Sequence, residues 1–351
     1  MQQPSRPPRL PLGPLAVIAV VLGGSAAAFA YTGGWLSPER LSRERVVGSL
    51  SPPGGPAPGH RRNHTKGLCF TGAFEANGAG AALSRAPMLA AGSYPVIGRF
   101  NLASAVLAQP DGAARVRGLS LSIAGPDGSE WRTGMITAPV FPVADVAAFY
   151  ALQTAVQSKE PGAMQAFARA HPEIAGFGGW AGSAPWTGSY AEERYNALNA
   201  FLFTDAAGND HTVRWSMLPE AVPVPVPHEQ LAARPPDFLD AEIRTRLAAG
   251  PVRWRMVVTE AGPDDPVADP SKAWPEGRRS IDVGTLAVQA IQAEPDGPCR
   301  DVNYDPTVLP PGMRTSADPF PAARSSAYAL SYQRRAAEAA AYPRTAPGGR
   351  P

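Results

Sequence analysis

The chain has 351 residues, 44% hydrophobic and 18% charged, enough apolar material for one large domain or two ordinary ones. Thirty-two basic and 30 acidic side chains leave a net charge of +2, and no basic stripe with interleaved aromatics is present, which excludes an electrostatic nucleic-acid binder. Lysine occurs only at 66, 159 and 272, so nearly all positive charge is arginine and an arginine in a motif carries little weight by itself.

After residues 1–9, read as a cytoplasmic N-terminus, residues 10–35 carry no charged side chain. A helix of that length crosses a hydrocarbon core of roughly 30 Å. Arg6 and Arg9 precede it, which keeps the N-terminus cytoplasmic, and Tyr31 and Trp35 suit the far interface. Ala28-Phe29-Ala30 also reads as the cleavage site of a signal peptide. Anchor and leader both stand as readings, the length of the run favouring the anchor, and both place the rest of the chain outside the cytoplasm. Export permits Cys69 and Cys299 to pair, with two buried free thiols as the alternative.

Residues 36–60 begin with PERLSRER and end in SPPGGPAPGH, a linker too rich in Pro and Gly for a helix or interior strand. Alternating patterns then predict strands at 94–103, 114–125 and 130–143, with GPDG at 125–128 as a turn between two of them. Helical spacing marks 143–157 and 161–174. A hairpin turning at AAGND is expected within 197–218, and further strands at 251–261 and 280–292. The last element is a helix over 318–342 with Asp318 as N-cap and Pro319 at its first position, followed by a frayed end from 343. No internal repeat is present. The body is α+β, with a mostly antiparallel sheet whose many strands suggest a closed barrel that solves the edge problem.

Two short stretches carry chemistry. RRNHTKG at 61–67 places His64, one of five histidines, among positive charges. His60 and His64 lack a third ligand for zinc, and HExxH, CxxC, P-loop and GxSxG patterns are absent. In the last helix Arg324 and Tyr328 stand at i,i+4 on one face, where a guanidinium favours the phenolate, a hard oxygen ligand for ferric iron. Arg335 returns to that face two turns later.

Taken together these stretches resemble the haem catalase superfamily, in particular the small catalase-related peroxidases. Arg61, His64, Lys66 and Gly67 match the family's distal Arg-x-x-His-Ala-Lys-Gly, with Thr65 as the departure. Arg324, Tyr328 and Arg335 match its proximal Arg-x-x-x-Tyr and later arginine. YDPTVLPPG at 304–312 is similar to the run before that helix, and PVIGRFNLA and RVRGLSLSI to two family strands. The likeness covers 61–336, with 337–351 left as a flexible tail. It implies an antiparallel barrel with packed helices and haem b. The implied roles are Tyr328 as axial iron ligand, Arg324 keeping it deprotonated, and His64 as distal acid/base. Asn101 takes the place of a serine that orients the histidine, Arg61, Arg99 and Arg335 serve the propionates, and Phe149 lies against the haem. Alignment of Pro139-Val140-Phe141 puts Ile136 where catalases have a distal asparagine, which implies weak catalase activity.

The implied function is reduction of hydrogen peroxide or organic hydroperoxides through a compound I intermediate, with an unidentified electron donor, in a membrane-anchored or exported protein on the periplasmic side. Rearrangement of fatty hydroperoxides and non-catalytic haem carriage are the alternatives; the oligomeric state is open.

Overall fold

A computed structural model describes residues 12–33, 35–36 and 41–345. The expected cytoplasmic N-terminus lies outside the described residues. Ten strands form one antiparallel sheet: β1 (Gly67–Ala76), β2 (Gly92–Leu102), β3 (Arg117–Ala124), β4 (Glu130–Ile136), β5 (Tyr195–Asn196), β6 (Phe201–Thr204), β7 (Asp210–Pro219), β8 (Val252–Glu260), β9 (Ser280–Ala293) and β10 (Met313–Thr315). Eight of them close a barrel in the order β1-β2-β3-β4-β5-β7-β8-β9 and back to β1, while β6 and β10 extend the sheet beside β7. Closure leaves those eight strands no open edge.

The helices are α1 (Leu12–Thr32), α2 (Arg43–Gly48), α3 (Val146–Gln157), α4 (Ala163–Ala170), α5 (Ile174–Ser183), α6 (His228–Ala232), α7 (Phe238–Ala248) and α8 (Phe320–Ala337). The expected α+β barrel is therefore present, preceded by α1. Among the described residues α1 alone is long and apolar enough to cross a membrane. Its side chains find no place in the fold, with Val20 74% and Phe29 80% exposed.

Strand side chains alternate between a packed interior and an outer face. Phe70, Phe100, Leu119, Met135 and Trp254 point inward and are buried. Their neighbours point outward, and the register lines them up in two rows. One runs Gly67, Asn101, Gly118, Ile136, Asn196 across β1 to β5. The other runs Cys69, Arg99, Ser120, Gly134.

Several local expectations need correction. Residues 36–60 are not all linker: Ser42 caps α2, and Val47 is buried, 1% exposed, as α2 packs on α8. The stretch 161–174 holds α4 and then a break before α5 begins at Ile174, because Pro172 disfavours a helical His171, whose φ is −129°. The last helix starts at Phe320 with Pro319 at the cap position; Asp318 still accepts a hydrogen bond from the Phe320 amide at 2.9 Å. The tail is pinned as far as Thr345, whose amide donates to Asp296 at 2.7 Å; residues 346–351 lie outside the described residues. The two cysteines form a disulfide with Cα atoms 5.2 Å apart, which settles the alternatives left open above.

Candidate active site

His64 is the one described non-glycine residue with positive φ, at 53°. A left-handed backbone at such a residue costs of order 1–3 kcal/mol and persists where neighbours over-determine it. Four groups do so here. Its amide donates to the Asn63 side chain at 2.9 Å, and the Thr65 amide donates to the Ser104 carbonyl at 2.9 Å. The Thr65 hydroxyl reaches the Arg61 and Ala105 carbonyls, both at 3.0 Å. Arg99 clamps the carbonyls of His64 and Thr65 at 2.8 and 3.1 Å.

The ring is held from β2. His64 Nδ1 donates to Asn101 Oδ1 at 2.6 Å, which leaves Nε2 as the basic nitrogen. A Cβ at Gly118 would stand 2.2 Å from that Asn101 oxygen, and one at Gly67 2.2 Å from the Arg99 guanidinium carbon, so both glycines make room for the clamps. Burial lowers the His64 pKa to about 4 despite the Asn101 bond that raises it; the charges of Arg99, Arg324 and Arg61 push the same way as burial. The imidazole is therefore neutral at neutral pH.

On α8, Arg324 Nη2 donates to Tyr328 Oη at 3.1 Å, and Arg324 Nη1 donates to Asn199 Oδ1 at 2.8 Å. Asn199 Nδ2 donates in turn to Asp318 at 2.9 Å. Burial raises the Asp318 carboxyl above its usual range, while the Asn199 bond opposes the shift. Arg324 is thus fixed at both ends of its fork.

Two of the three arginines expected at the propionates, Arg61 and Arg99, converge on a carboxylate that sequence reasoning missed. Glu294, next to the end of β9, pairs with Arg99 at 2.7 Å and with Arg61. Burial opposes its charge, but Arg99 and Arg61 outweigh burial and hold it below the usual carboxylate range. Arg99 already makes four hydrogen bonds, to Glu294 twice and to the two carbonyls, which leaves one N–H of its five. Arg61 Nη2 donates to the Cys299 and Val302 carbonyls, both at 2.9 Å. Arg335 donates to Val302 at 3.1 Å and to the Arg300 carbonyl. Burial lowers the Arg61 pKa to about 9, with Arg99 beside it adding to the shift.

A separate apolar cluster packs at the start of α8. Phe149 lies 5.7 Å from Phe141, which lies 5.0 Å from Phe320, all in one cluster with Val143 and Leu152. Ile136 stands in the outward row two strands from Asn101, with a side chain that offers no hydrogen bond. Arg62 and Lys66, which had no role by sequence, serve the scaffold. Arg62 pairs with Glu338 at 2.5 Å, and Lys66 with Asp111 at 2.7 Å.

These residues fit a flat iron macrocycle with two carboxylates. A phenol held by a guanidinium suits ferric iron. Three guanidinium groups, those of Arg61, Arg99 and Arg335, with the one carboxylate of Glu294 leave two positive charges to balance. Arg324 Nη2 lies 3.0 Å from where a Cβ at Gly134 would stand, in the outward row next to the one that holds Asn101, so the phenol and the imidazole clamp share the outer face of β2 to β4.

Comparison with known proteins points the same way. A family model described as Catalase matches residues 58–342. The chain is 32% identical over 327 residues to a catalase-related peroxidase of Synechococcus elongatus, covering 92% of this chain and 94% of that protein. It is 31% identical over 300 residues to a catalase-related peroxidase of Mycolicibacterium paratuberculosis, covering 84% and 95%. With the family match spanning most of the chain, from the arginine cluster through α8, the protein belongs to the catalase family.

Proposed function

We propose that this chain is a haem-dependent peroxidase that reduces hydrogen peroxide or organic hydroperoxides, held at a membrane by α1 with its barrel domain on the extracytoplasmic side. The observation that carries the reading is the His64 imidazole, fixed through Nδ1 on a strained backbone, on the same outer face of the barrel as the Arg324–Tyr328 pair. Haem b, when bound, supplies the redox centre at which the O–O bond of the peroxide is broken.

Tyr328 is the residue to ligate the iron, and Arg324 supplies a cationic donor that favours the phenolate oxygen. Arg61 and Arg335 retain N–H groups for the propionates, and Arg99 retains one. Phe149 is the aromatic side chain assigned to lie against the haem. His64 Nε2 takes the proton from one peroxide oxygen and delivers it to the other, so that the second oxygen leaves as water, or as an alcohol from an organic hydroperoxide. Ile136 gives the peroxide no donor, so reduction by an external donor is favoured over the oxidation of a second peroxide that dismutation needs.

The test is a pair of variants of the haem-loaded protein. His64→Ala keeps the haem spectrum and loses about 10³-fold in the rate of peroxide reduction. Tyr328→Phe loses haem, read as the haem-to-protein ratio. A His64→Ala protein that reduces peroxide at the parental rate would sink the assignment.

A further inference from the structure

Glu294 has no part in the chemistry proposed above, yet this buried carboxylate touches the arginine that clamps His64. Arg99 on β2 faces Cys69 on β1, and Cys69 faces Gln292 on β9, so the three strands lie side by side here. The Arg99 side chain passes over Gly67 and ends between two sets of acceptors. On one side Nε and Nη2 donate to the two oxygens of Glu294 at 2.9 and 2.7 Å, a bidentate fork. On the other Nη1 donates to the His64 carbonyl at 2.8 Å and Nη2 to the Thr65 carbonyl at 3.1 Å.

Glu294 is itself fixed from behind. The Asp296 and Gly297 amides both donate to the Ala293 carbonyl, at 3.2 and 2.9 Å. The turn they close runs on to Cys299, which the disulfide ties to β1. A Cβ at Gly297 would stand 2.5 Å from Cys69 Sγ, so the turn lies directly against the bridge.

The carboxylate gives Arg99 what two neutral carbonyls do not. It balances the buried charge, and its two oxygens fix the plane of the guanidinium fork. His64 depends on that plane, because its φ of 53° persists only where neighbours hold it. From this left-handed backbone Nδ1 meets Asn101 at 2.6 Å, and that bond decides which ring nitrogen stays free.

We infer that Glu294 is a positioning residue for His64: acting through Arg99, it holds residues 64 and 65 in the turn that aims Nδ1 at Asn101 and leaves Nε2 as the base. The inference rests on His64 as the proton carrier of the proposed reaction. Without the fork Arg99 rotates to other acceptors, the His64 backbone relaxes toward negative φ, and the ring leaves Asn101.

The experiment uses the full chain in detergent, with histidines labelled with nitrogen-15. Loading with zinc protoporphyrin, a diamagnetic stand-in for haem, keeps the ring signals sharp, and His64→Ala assigns those of His64 among the five histidines. In the parent at pH 7 the His64 proton should reside on Nδ1. In Glu294→Gln it should move largely to Nε2, and the haem-loaded variant should reduce peroxide about 10²-fold more slowly per bound haem. Glu294→Asp keeps the charge but is one methylene too short for the fork, and should show the same two changes. Glu338→Gln removes the ion pair of Arg62 in the same segment and should change neither. A His64 proton that stays on Nδ1 in both Glu294 variants, or that moves equally in Glu338→Gln, overturns the positioning role. Failure of the haem-loaded parent to reduce peroxide overturns the peroxidase reading instead, while the nitrogen signals still decide the part played by Glu294.

Discussion

At the scale of single residues, the charge state of His64 makes a signed prediction. Its pKa is depressed to about 4, so the imidazole is a base throughout the neutral range and becomes protonated only in strong acid. The rate of peroxide reduction should stay level from pH 7 to about 5 and fall through a midpoint near 4, measured by stopped-flow with the haem-loaded protein. Asn101→Ala should move that midpoint lower still, because the Asn101 hydrogen bond is the contact that raises it. A midpoint near the ordinary histidine value of about 6.5 would show that the ring is not buried as described. Ile136 makes the converse test. Ile136→Asn restores a donor at the position where the family has one, and oxygen release from hydrogen peroxide should rise about tenfold or more, read with an oxygen electrode. Glu294 is the residue on which two arginines depend. Glu294→Gln keeps its shape and removes its charge, leaving Arg61 and Arg99 buried together, and should cost about 3 kcal/mol in urea unfolding at pH 7. Because its folded pKa is lowered, the stability it contributes is present above the unfolded value and is lost as pH falls through the folded one. The gap between parent and variant should therefore narrow in acid; a constant gap would mean that shape, and not charge, is what Glu294 supplies.

At the scale of elements, the disulfide joins β1 to the turn at Pro298–Arg300, and that turn presents carbonyls to both Arg61 and Arg335. Closing a loop of 230 residues restricts the unfolded chain and is worth about 2–5 kcal/mol. The double variant Cys69→Ala, Cys299→Ala should lose that stability and also transfer haem to apomyoglobin faster than the parent. Trp215→Phe, which loosens the barrel interior far from the arginines in sequence, is the control. Equal haem transfer in the two variants would reduce the disulfide to general stabilisation. The same elements explain what the sequence made legible. Arg-x-x-His and Arg-x-x-x-Tyr are local spacings, and the alternation in β3 and β4 follows from residues two apart, so both could be read directly. Strand β1, GLCFTGAFEA, has apolar residues on both faces and shows no clean alternation. Glu294 reaches Arg99 across 195 positions and Arg61 across 233, and Asn199 reaches Arg324 across 125. Contacts of that span exist only once the barrel closes, and no window of sequence contains them.

At the scale of the whole molecule, the fold and its tether part company earlier than composition suggests. Pro and Gly after Ser51 end regular structure, yet the chain before them returns to the body: Val47 is buried and Arg45 reaches Tyr150 on α3. Residues 13–32 lie in a helix whose large apolar side chains are exposed. The barrel domain therefore starts at Ser42, and two truncations separate tether from domain. A chain beginning at 41 should stay in solution without detergent and unfold at the parental temperature, since it loses no buried contact. A chain beginning at 50 strips Val47 from α8 and removes the Arg45 contact to Tyr150. Loss of one buried aliphatic side chain and its cavity costs about 2–3 kcal/mol, so the second truncation should unfold at a lower temperature and hold haem less tightly, because α8 carries both Arg324 and Tyr328. Equal thermal unfolding of the two truncated proteins would mean that α2 is linker after all, and that the proximal helix stands without its support.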